Sequence, residues 1–495
     1  MDFPHAQSDE KYAWKLHRFS HDNPPRIFIS PRFSQRQYPP PYHLECVLEE
    51  KGTFAQTLLM ASDYVGPVVP KDDINRILKT IRNRLEKWSA HIHVQDVLRT
   101  IPLGSRFHLD DEEDHEPRGH GIWLSPNYQL ERKYHTISSL MRLWSATELP
   151  PCLDLEQVQC VSRLHDSVSL VILPNGEQAI FKGVVQGADR MYHELKVLLS
   201  MPSHPNIIGR PRHIILRKIQ SMEEPIVCGF VLPYHSGGTL LEAIAKHNPL
   251  TIQVKVKWMR QILSAFRHIH SRAGTFYSDL RLDNIVLTKE EDVVLIDFEQ
   301  HGSAQRWLHP KLWRTNTTRP SAGCDSKWCA SRINPVNMPR GTRYCNPPHG
   351  YWTRFIVASD LQQQAYESFT LSKVMWCIFE QKTNDFSLLE LNEEEKQMIC
   401  EGGTPIVEKA FPHFVMTPPA LRYWIWLCTN QSSEWGVLQC NCARTGISAG
   451  LCPETGARMH CSVGGILDGP GIFDTHAYFE NWATETVGTG TKASV

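Results

Sequence analysis

No stretch of this 495-residue chain approaches the roughly 18 apolar residues that a helix needs to cross a bilayer, so no membrane span is expected. The opening residues, MDFPHAQSDEKYAWK, carry acids and no apolar core, and no secretory signal is expected from them. Neither sign of charge prevails: 52 Lys and Arg stand against 53 Asp and Glu, so no net field draws the chain to nucleic acid or anionic lipid. Familiar metal signatures are missing as well. The 24 His are dispersed, and none forms a His-Glu-x-x-His helix. The acidic run Asp110–Asp114 with Glu116 lacks the spaced ligands and turn glycine of a calcium loop, and reads as an exposed loop. Cys440, Cys442, Cys452, His460 and Cys461 could supply zinc ligands, but their spacing matches no finger or ribbon, so they read as free thiols in a tail. Cys324 and Cys329 are near enough in sequence to cross-link on oxidation, with nothing beyond proximity to support it. The 14 Cys as a set read as reduced, mostly buried apolar groups of an intracellular chain, cytoplasmic or nuclear.

What is present is an ordinary globular composition, 41% hydrophobic and 21% charged, at a length that points to two or three domains. Residues 1–150 form a first region of unknown role. Its Pro- and Arg-rich opening reads as loops with short strands, followed by one clear helix. Pro70 and Asp72 start that helix, and Ile74, Ile77, Leu78, Ile81, Leu85 and Trp88 recur at helical spacing. Arg76, Lys79, Arg82, Arg84 and Lys87 line its other faces, a solvated surface rather than a binding site. Residues 151–435 change texture. VQCVSRLHDSVSLVILPNGEQAIFKGV alternates like strands around the turn Pro174-Asn175-Gly176. Helices are predicted near Ala188–Leu199, Phe369–Phe379 and Pro418–Cys428. The clearest carries the stripe Ile252, Val256, Met259, Leu263, Phe266 and Ile269. Segment 302–345 reads as a long functional or mobile loop. Residues 436–495, rich in Gly, Cys and Thr, read as a weakly ordered tail.

The chemistry concentrates in YSDLRLDNIVL followed by VVLIDFE. Asp279 and Asn284 are five residues apart, and Asp297 lies 18 beyond Asp279 at the end of an apolar strand. Phosphoryl transfer asks for a carboxylate near the attacking hydroxyl and for oxygen ligands that hold magnesium against phosphates. Asp279 suits the first task, Asn284 and Asp297 the second. Any one of them alone is more simply a turn cap. Upstream, Lys182 sits late in a strand and Glu194 follows 12 residues on in a helix, a pair able to fix an ammonium against α- and β-phosphates.

At these residues the chain resembles the eukaryotic protein kinases. Lys182 and Glu194 match the strand lysine and its helix partner. GFVLPYHSGGTL, with Leu232 and Tyr234, looks like the hinge where adenine docks. Asp279, Arg281 and Asn284 match the catalytic loop, and Asp297-Phe298 the start of the Asp-Phe-Gly motif. GTRYCNPPHGYW (341–352) falls where the activation segment should close, and ESFTLSKVMWCIFEQ (367–381) resembles the central helix of the large lobe. The resemblance implies an α+β, two-lobed fold: a small antiparallel sheet plus helix and a mainly helical large lobe, with an extra N-terminal region. It implies ATP in the cleft between lobes, Mg2+ on Asn284 and Asp297, Asp279 as base, and Arg281 where Ser/Thr kinases neutralise the γ-phosphate. The expected partner is a protein substrate or binding protein, and residues 1–150 are expected to serve regulation or partner binding.

The pattern is broken in places. SRLHDSVSL has no glycine where three usually let backbone amides approach phosphates. Tyr277 and Ser278 replace His-Arg. The tyrosine can still pack in the core, but Ser278 cannot pair with a phosphorylated loop. Glu299 replaces a glycine, Pro348 stands at the activation-segment closure, and Glu367 replaces the Asp that anchors the catalytic loop. Three readings follow: an active Ser/Thr protein kinase, a pseudokinase scaffold acting through partners, and a small-molecule kinase of the aminoglycoside or choline type.

Overall fold

The computed structural model describes residues 13–20, 26–32, 40–48, 54, 71–90, 93–109, 122–145, 148–185, 188–219, 222–246, 249–273, 276–277, 279–299, 360–383, 414–430, 477 and 479–484. Ser278, the segments 302–345 and 341–352, the acidic run at 110–116 and the tail cysteines lie outside the described residues. The chain divides into two compact units, Met1–Leu199 with Gly209–Tyr234, and Ser200–Ile208 with His235–Val495. No helix among the described residues is long and apolar enough to cross a membrane.

The first unit contains two sheets. The first is built from β1 (Trp14–Ser20), β2 (Arg26–Pro31), β3 (Leu44–Leu48), β4 (Arg106–Leu109) and β5 (Ile122–Ser125), in that spatial order. Pairing is antiparallel except between β3 and β4, which run parallel. Between those two the chain passes through α1 (Lys71–Ser89) and α2 (Val94–Thr100), as a parallel pair requires. Strand content here exceeds the loops and short strands expected from the sequence. The reason is local: every residue of β2 and β3 is buried, so neither strand shows a period-two pattern. Even Arg26 and Glu45 are buried, because they pair with each other at 3.0 Å. Helix α1 follows its predicted stripe, with Ile77, Ile81 and Leu85 buried and Arg76, Lys79 and Lys87 exposed.

The second sheet comprises β6 (Cys152–Asp154), β7 (Gln159–Arg163), β8 (Val168–Ile172), β9 (Gln178–Gly183), β10 (His213–Arg217) and β11 (Ile226–Pro233), in the order β6-β10-β11-β9-β8-β7. It is antiparallel apart from the edge pair β6/β10, an addition to the purely antiparallel sheet expected. The β8–β9 turn closes on Gly176 at φ +82°, a left-handed conformation glycine adopts without strain. After α3 (Tyr128–Glu131) and α4 (Ile137–Trp144) comes the sheet's own helix, α5 (Ala188–Ser200). Polar contacts tie α2 and His135 to this sheet and its helix. Arg217 Nη2 on β10 donates to the carbonyls of Leu98, Arg99 and Ile101 at 2.7, 3.0 and 2.8 Å, satisfying the C-terminal end of α2. Tyr192 on α5 donates to Val227 O at 2.8 Å and accepts from His135 N at 3.0 Å.

The second unit is mainly helical, with α6 (Leu240–Lys246), α7 (Ile252–His268), α8 (Asp360–Glu380), α9 (Pro419–Asn430) and a two-stranded ribbon of β12 (Ile285–Leu287) and β13 (Val293–Leu295). Thr251 caps α7 by accepting from Val254 N, and Val256, Met259, Leu263, Phe266 and Ile269 of its stripe are buried. Helix α8 extends well before the predicted Phe369, and from Phe369 to Glu380 it is buried on all sides, as suits a helix at the centre of a core. Its last carboxylate, Glu380, accepts from the amides of Val415, Met416 and Thr417 ahead of α9. In the tail, Phe479 and Trp482 pack on Phe379 with ring centroids 6.5 and 5.8 Å away.

Candidate functional site

In the first unit, Lys182 lies on the interior strand β9, between Val168 of β8 and Phe230 of β11. Glu194 lies on the buried face of α5 with Met191, Leu195 and Leu198. Their side chains meet at 2.5 Å, 7% and 0% exposed. Burying two charges costs several kcal/mol per ion, so this pair persists only because each neutralises the other. Leu232 is buried on β11 opposite Ile180, and Tyr234 follows that strand half-buried.

The turn between β7 and β8 is where the sequence lacks glycine. Leu164 N and His165 N both donate to Val168 O, at 2.9 and 3.1 Å, so two of the turn's amides are already engaged. Gly183 N donates to Ser167 O at 2.7 Å, which ties the turn to the residue after Lys182.

In the second unit, a 3-10 turn at Leu282–Asn284 places the predicted carboxylate and amide side by side. Asn284 Nδ2 donates to Asp279 O at 2.9 Å, which orients the amide and leaves its oxygen as the side chain's acceptor. Asp279 is only 4% exposed, and its Oδ1 has no hydrogen-bond partner among the described residues. Burial pushes its carboxyl up to about 7, against the pull of Arg281, and the charge of Asp297 adds to the rise. Arg281 Nε stands 3.6 Å from Asp279 Oδ1, and its Nη1 3.3 Å from Asp283. Burial opposes the charge on Arg281, but the carboxylates of Asp279, Asp283 and Asp297 outweigh it and keep the guanidinium ionised. Asp297 has φ +65°, a left-handed conformation that Asp tolerates better than most side chains, at the end of the ribbon. A hard amide oxygen and a carboxylate are the donor types magnesium takes, and the Asp279 oxygen, which accepts no hydrogen bond among the described residues and stands 3.6 Å from Arg281 Nε, adds negative charge to the turn, so these residues fit the ion.

Two buried groups hold this turn. Tyr277 is 1% exposed, edge-on to Phe266 at 5.8 Å and tilted against the fully buried Phe298 at 5.0 Å, with its hydroxyl donating to Ile296 O. It fills the core position that the sequence reading allowed it. Glu367 requires a correction. Read from sequence as a lost anchor, it reaches from α8 to accept Tyr277 N at 2.6 Å and pairs with His270 Nε2 at 2.8 Å. The extra methylene relative to Asp is taken up within the core, and the anchor stands. No local sequence pattern distinguishes His270 from the other dispersed histidines; only the packing against α8 gives it this role.

The sequence model of the family described as the protein kinase domain matches residues 178–330. The chain carries a domain of the protein kinase superfamily. Among curated relatives, CBL-interacting protein kinase 15 of Oryza sativa subsp. japonica is 29% identical over 33% of this chain and 35% of its own length. CBL-interacting serine/threonine-protein kinase 16 of Arabidopsis thaliana is 27% identical, over 27% of this chain and 26% of that protein. Serine/threonine-protein kinase UCN of Arabidopsis thaliana is 26% identical, over 36% and 48%. The chain thus spans less than half the length of each of these relatives. Its fold is the two-lobed α+β kinase fold with an N-terminal extension. The kinase-domain match begins at residue 178, beyond the glycine-free turn, and spans Lys182, Glu194, Asp279, Asn284 and Asp297.

Proposed function

We propose that this kinase domain transfers the γ-phosphoryl group of ATP to a Ser or Thr hydroxyl of a protein. The observation that carries the reading is Asp279: a buried carboxylate with an unsatisfied oxygen, next to an asparagine locked in position by the Asp279 backbone. Among the described residues that oxygen accepts no hydrogen bond and meets Arg281 Nε only as a long ion pair at 3.6 Å, so it keeps the capacity to accept from a substrate hydroxyl, at the cost of about 1–3 kcal/mol that an unmade buried hydrogen bond carries. A carboxyl raised to about 7 is matched to take a proton near neutral pH. In the step proposed, the substrate hydroxyl oxygen bonds to the γ-phosphorus, the bond from that phosphorus to the β,γ-bridging oxygen breaks, and the hydroxyl proton passes to Asp279. Lys182, held by Glu194, positions the α- and β-phosphates. Arg281 keeps positive charge beside the base. Asn284 and Asp297 would hold Mg2+, which when bound neutralises charge on the phosphates.

A pseudokinase scaffold is the second reading, favoured by the engaged amides of the β7–β8 turn. Two measurements separate the readings. Magnesium-dependent stabilisation by ATP in a thermal melt tests nucleotide binding, and Asp279→Asn then tests chemistry. The expected result is protein phosphorylation by the wild type that falls at least ~100-fold in Asp279→Asn, while ATP still stabilises the variant. Turnover that survives the substitution refutes Asp279 as the base. ATP binding without turnover in the wild type leaves the scaffold.

A further inference from the structure

Glu299 stands where the kinase pattern has a glycine. Among the described non-glycine residues a positive φ falls on Asp297, at +65°, and not on Glu299, so the side chain at 299 brings no left-handed strain. What it brings is charge. Asp297 and Glu299 are both half-buried, and Phe298 between them is fully buried against Tyr277, with ring centroids 5.0 Å apart, which anchors the segment. Each of the two carboxylates offers an oxygen, and those oxygens lie within 4.8 Å of one another. Anions this close repel each other, and the guanidinium of Arg281 is already shared between Asp279 and Asp283. A divalent cation turns that repulsion into two ligand bonds. Oxygens on opposite sides of magnesium stand about 4.2 Å apart, twice its bond length, so both carboxylates reach one ion with little adjustment. The buried Asp279 lies in the same field: Asp297 is among the charges that act on it, and its Oδ1 accepts no hydrogen bond among the described residues.

We propose that Glu299 is a further ligand of the divalent cation held by Asn284 and Asp297, an inference that rests on reading those two as its ligands, and that it lets the chain take up the ion before the nucleotide. One amide and one carboxylate hold magnesium weakly until phosphates complete its shell. A second carboxylate supplies the charge that phosphates otherwise bring. The same charge works against ATP that arrives without metal, because a carboxylate not engaged with a cation repels phosphate oxygens. Glu299 therefore makes nucleotide binding depend on the cation more steeply than a glycine at that position does.

The test has two arms on the full chain, neither of which needs turnover. In the first, Mn2+ is titrated into nucleotide-free protein and free Mn2+ is read by electron paramagnetic resonance. The wild type is expected to bind Mn2+, and Glu299→Gln about tenfold more weakly, the effect of losing one charged ligand. Asp297→Asn should weaken it as well, and the double variant should lose less than the two single losses together, because both side chains serve one ion. In the second arm, ATP in EDTA displaces a fluorescent ATP analogue, and Glu299→Gln is expected to bind metal-free ATP at least about threefold more tightly than the wild type. The two changes run in opposite directions, which a structural role does not produce. A variant that loses affinity in both arms makes Glu299 a structural prop and overturns the proposal. Mn2+ affinity unchanged by Glu299→Gln places the ion elsewhere and also overturns it. Should Glu299→Gln fail to fold, Glu299→Gly removes the same charge and carries both readings. A chain that binds Mn2+ through Glu299 but binds no MgATP removes the transferase reading and keeps this one. A chain that binds MgATP but no Mn2+ in the absence of nucleotide overturns this one and leaves the transferase reading standing.

Discussion

Substituting Glu45 with Gln should cost the first unit a large fraction of its stability. Glu45 is 2% exposed and faces three guanidiniums, Arg26 at 3.0 Å and Arg106 and Arg163 at 3.1 Å. Arg163 is the least exposed of them, 1% at the side chain, and also lies over the Phe28 ring at 4.4 Å. Burial lowers its affinity for a proton and Glu45 is the largest influence restoring it. Glu45→Gln keeps the shape and removes the charge, so two nearly buried cations, Arg26 and Arg163, lose their shared anion. Removing one partner of a buried ion pair costs about 3–5 kcal/mol. For a unit of roughly 200 residues each kcal/mol moves the midpoint by about 2–4 °C, so a fall of about 6–20 °C is expected. The assay is calorimetry on the full chain, with the double variant Glu45→Gln/Arg163→Met beside it, which should recover part of the loss because the stranded cation goes too. A fall under about 2 °C refutes the claim that this cluster ties the N-terminal sheet to the kinase sheet. So does an N-terminal sheet that melts in a transition of its own while the rest is unchanged.

Two histidines at the same seam predict a pH dependence. His17 and His43 are held well below the usual histidine range, by burial first and by neighbouring cations next: Lys15, Arg163 and Arg32 for His17, Arg163 for His43. The unfolded chain binds protons at these sites near pH 6.5 and the folded one does not, so stability is complete above about 6.5 and declines as pH falls, by about 1.4 kcal/mol per unit for each histidine. Melts between pH 7.5 and 5.5 check this. His43→Asn, which suits the φ of +53° there, should flatten the slope, and an unchanged slope refutes the assignment. In the second unit, Glu367→Ala removes the buried carboxylate that accepts from Tyr277 N and pairs with His270, with an expected loss of about 2–4 kcal/mol and a kcat that falls more than KM rises. Glu367→Asp should be milder but below wild type, because a shortened carboxylate cannot hold both partners; full activity in Glu367→Ala refutes the anchor.

The candidate site was legible because its residues are local. Asp279 and Asn284 lie within one turn, and Lys182 and Glu194 within one strand–helix step, so spacing alone carries their geometry. The helix stripes on α1 and α7 were legible for the same reason, since periodicity survives wherever one face is wet. The glutamate at 367 shows where substitution patterns mislead: compared with an aspartate it looked lost, but the distance it spans is set by how α8 packs, and the structure restores it.

The order of chemical groups along the chain, the helical faces and the absence of glycine at 164–167 were determined by the sequence alone, because each depends on neighbours a few residues away. The tertiary structure alone decided that Arg26 meets Asp166 across 140 residues and Arg163 meets Glu45 across 118. Strands buried on every residue, such as β2 and β3, give no alternation to read. The partner of a buried charge is whichever group the packing brings within 3 Å, a choice made by burial and not by spacing.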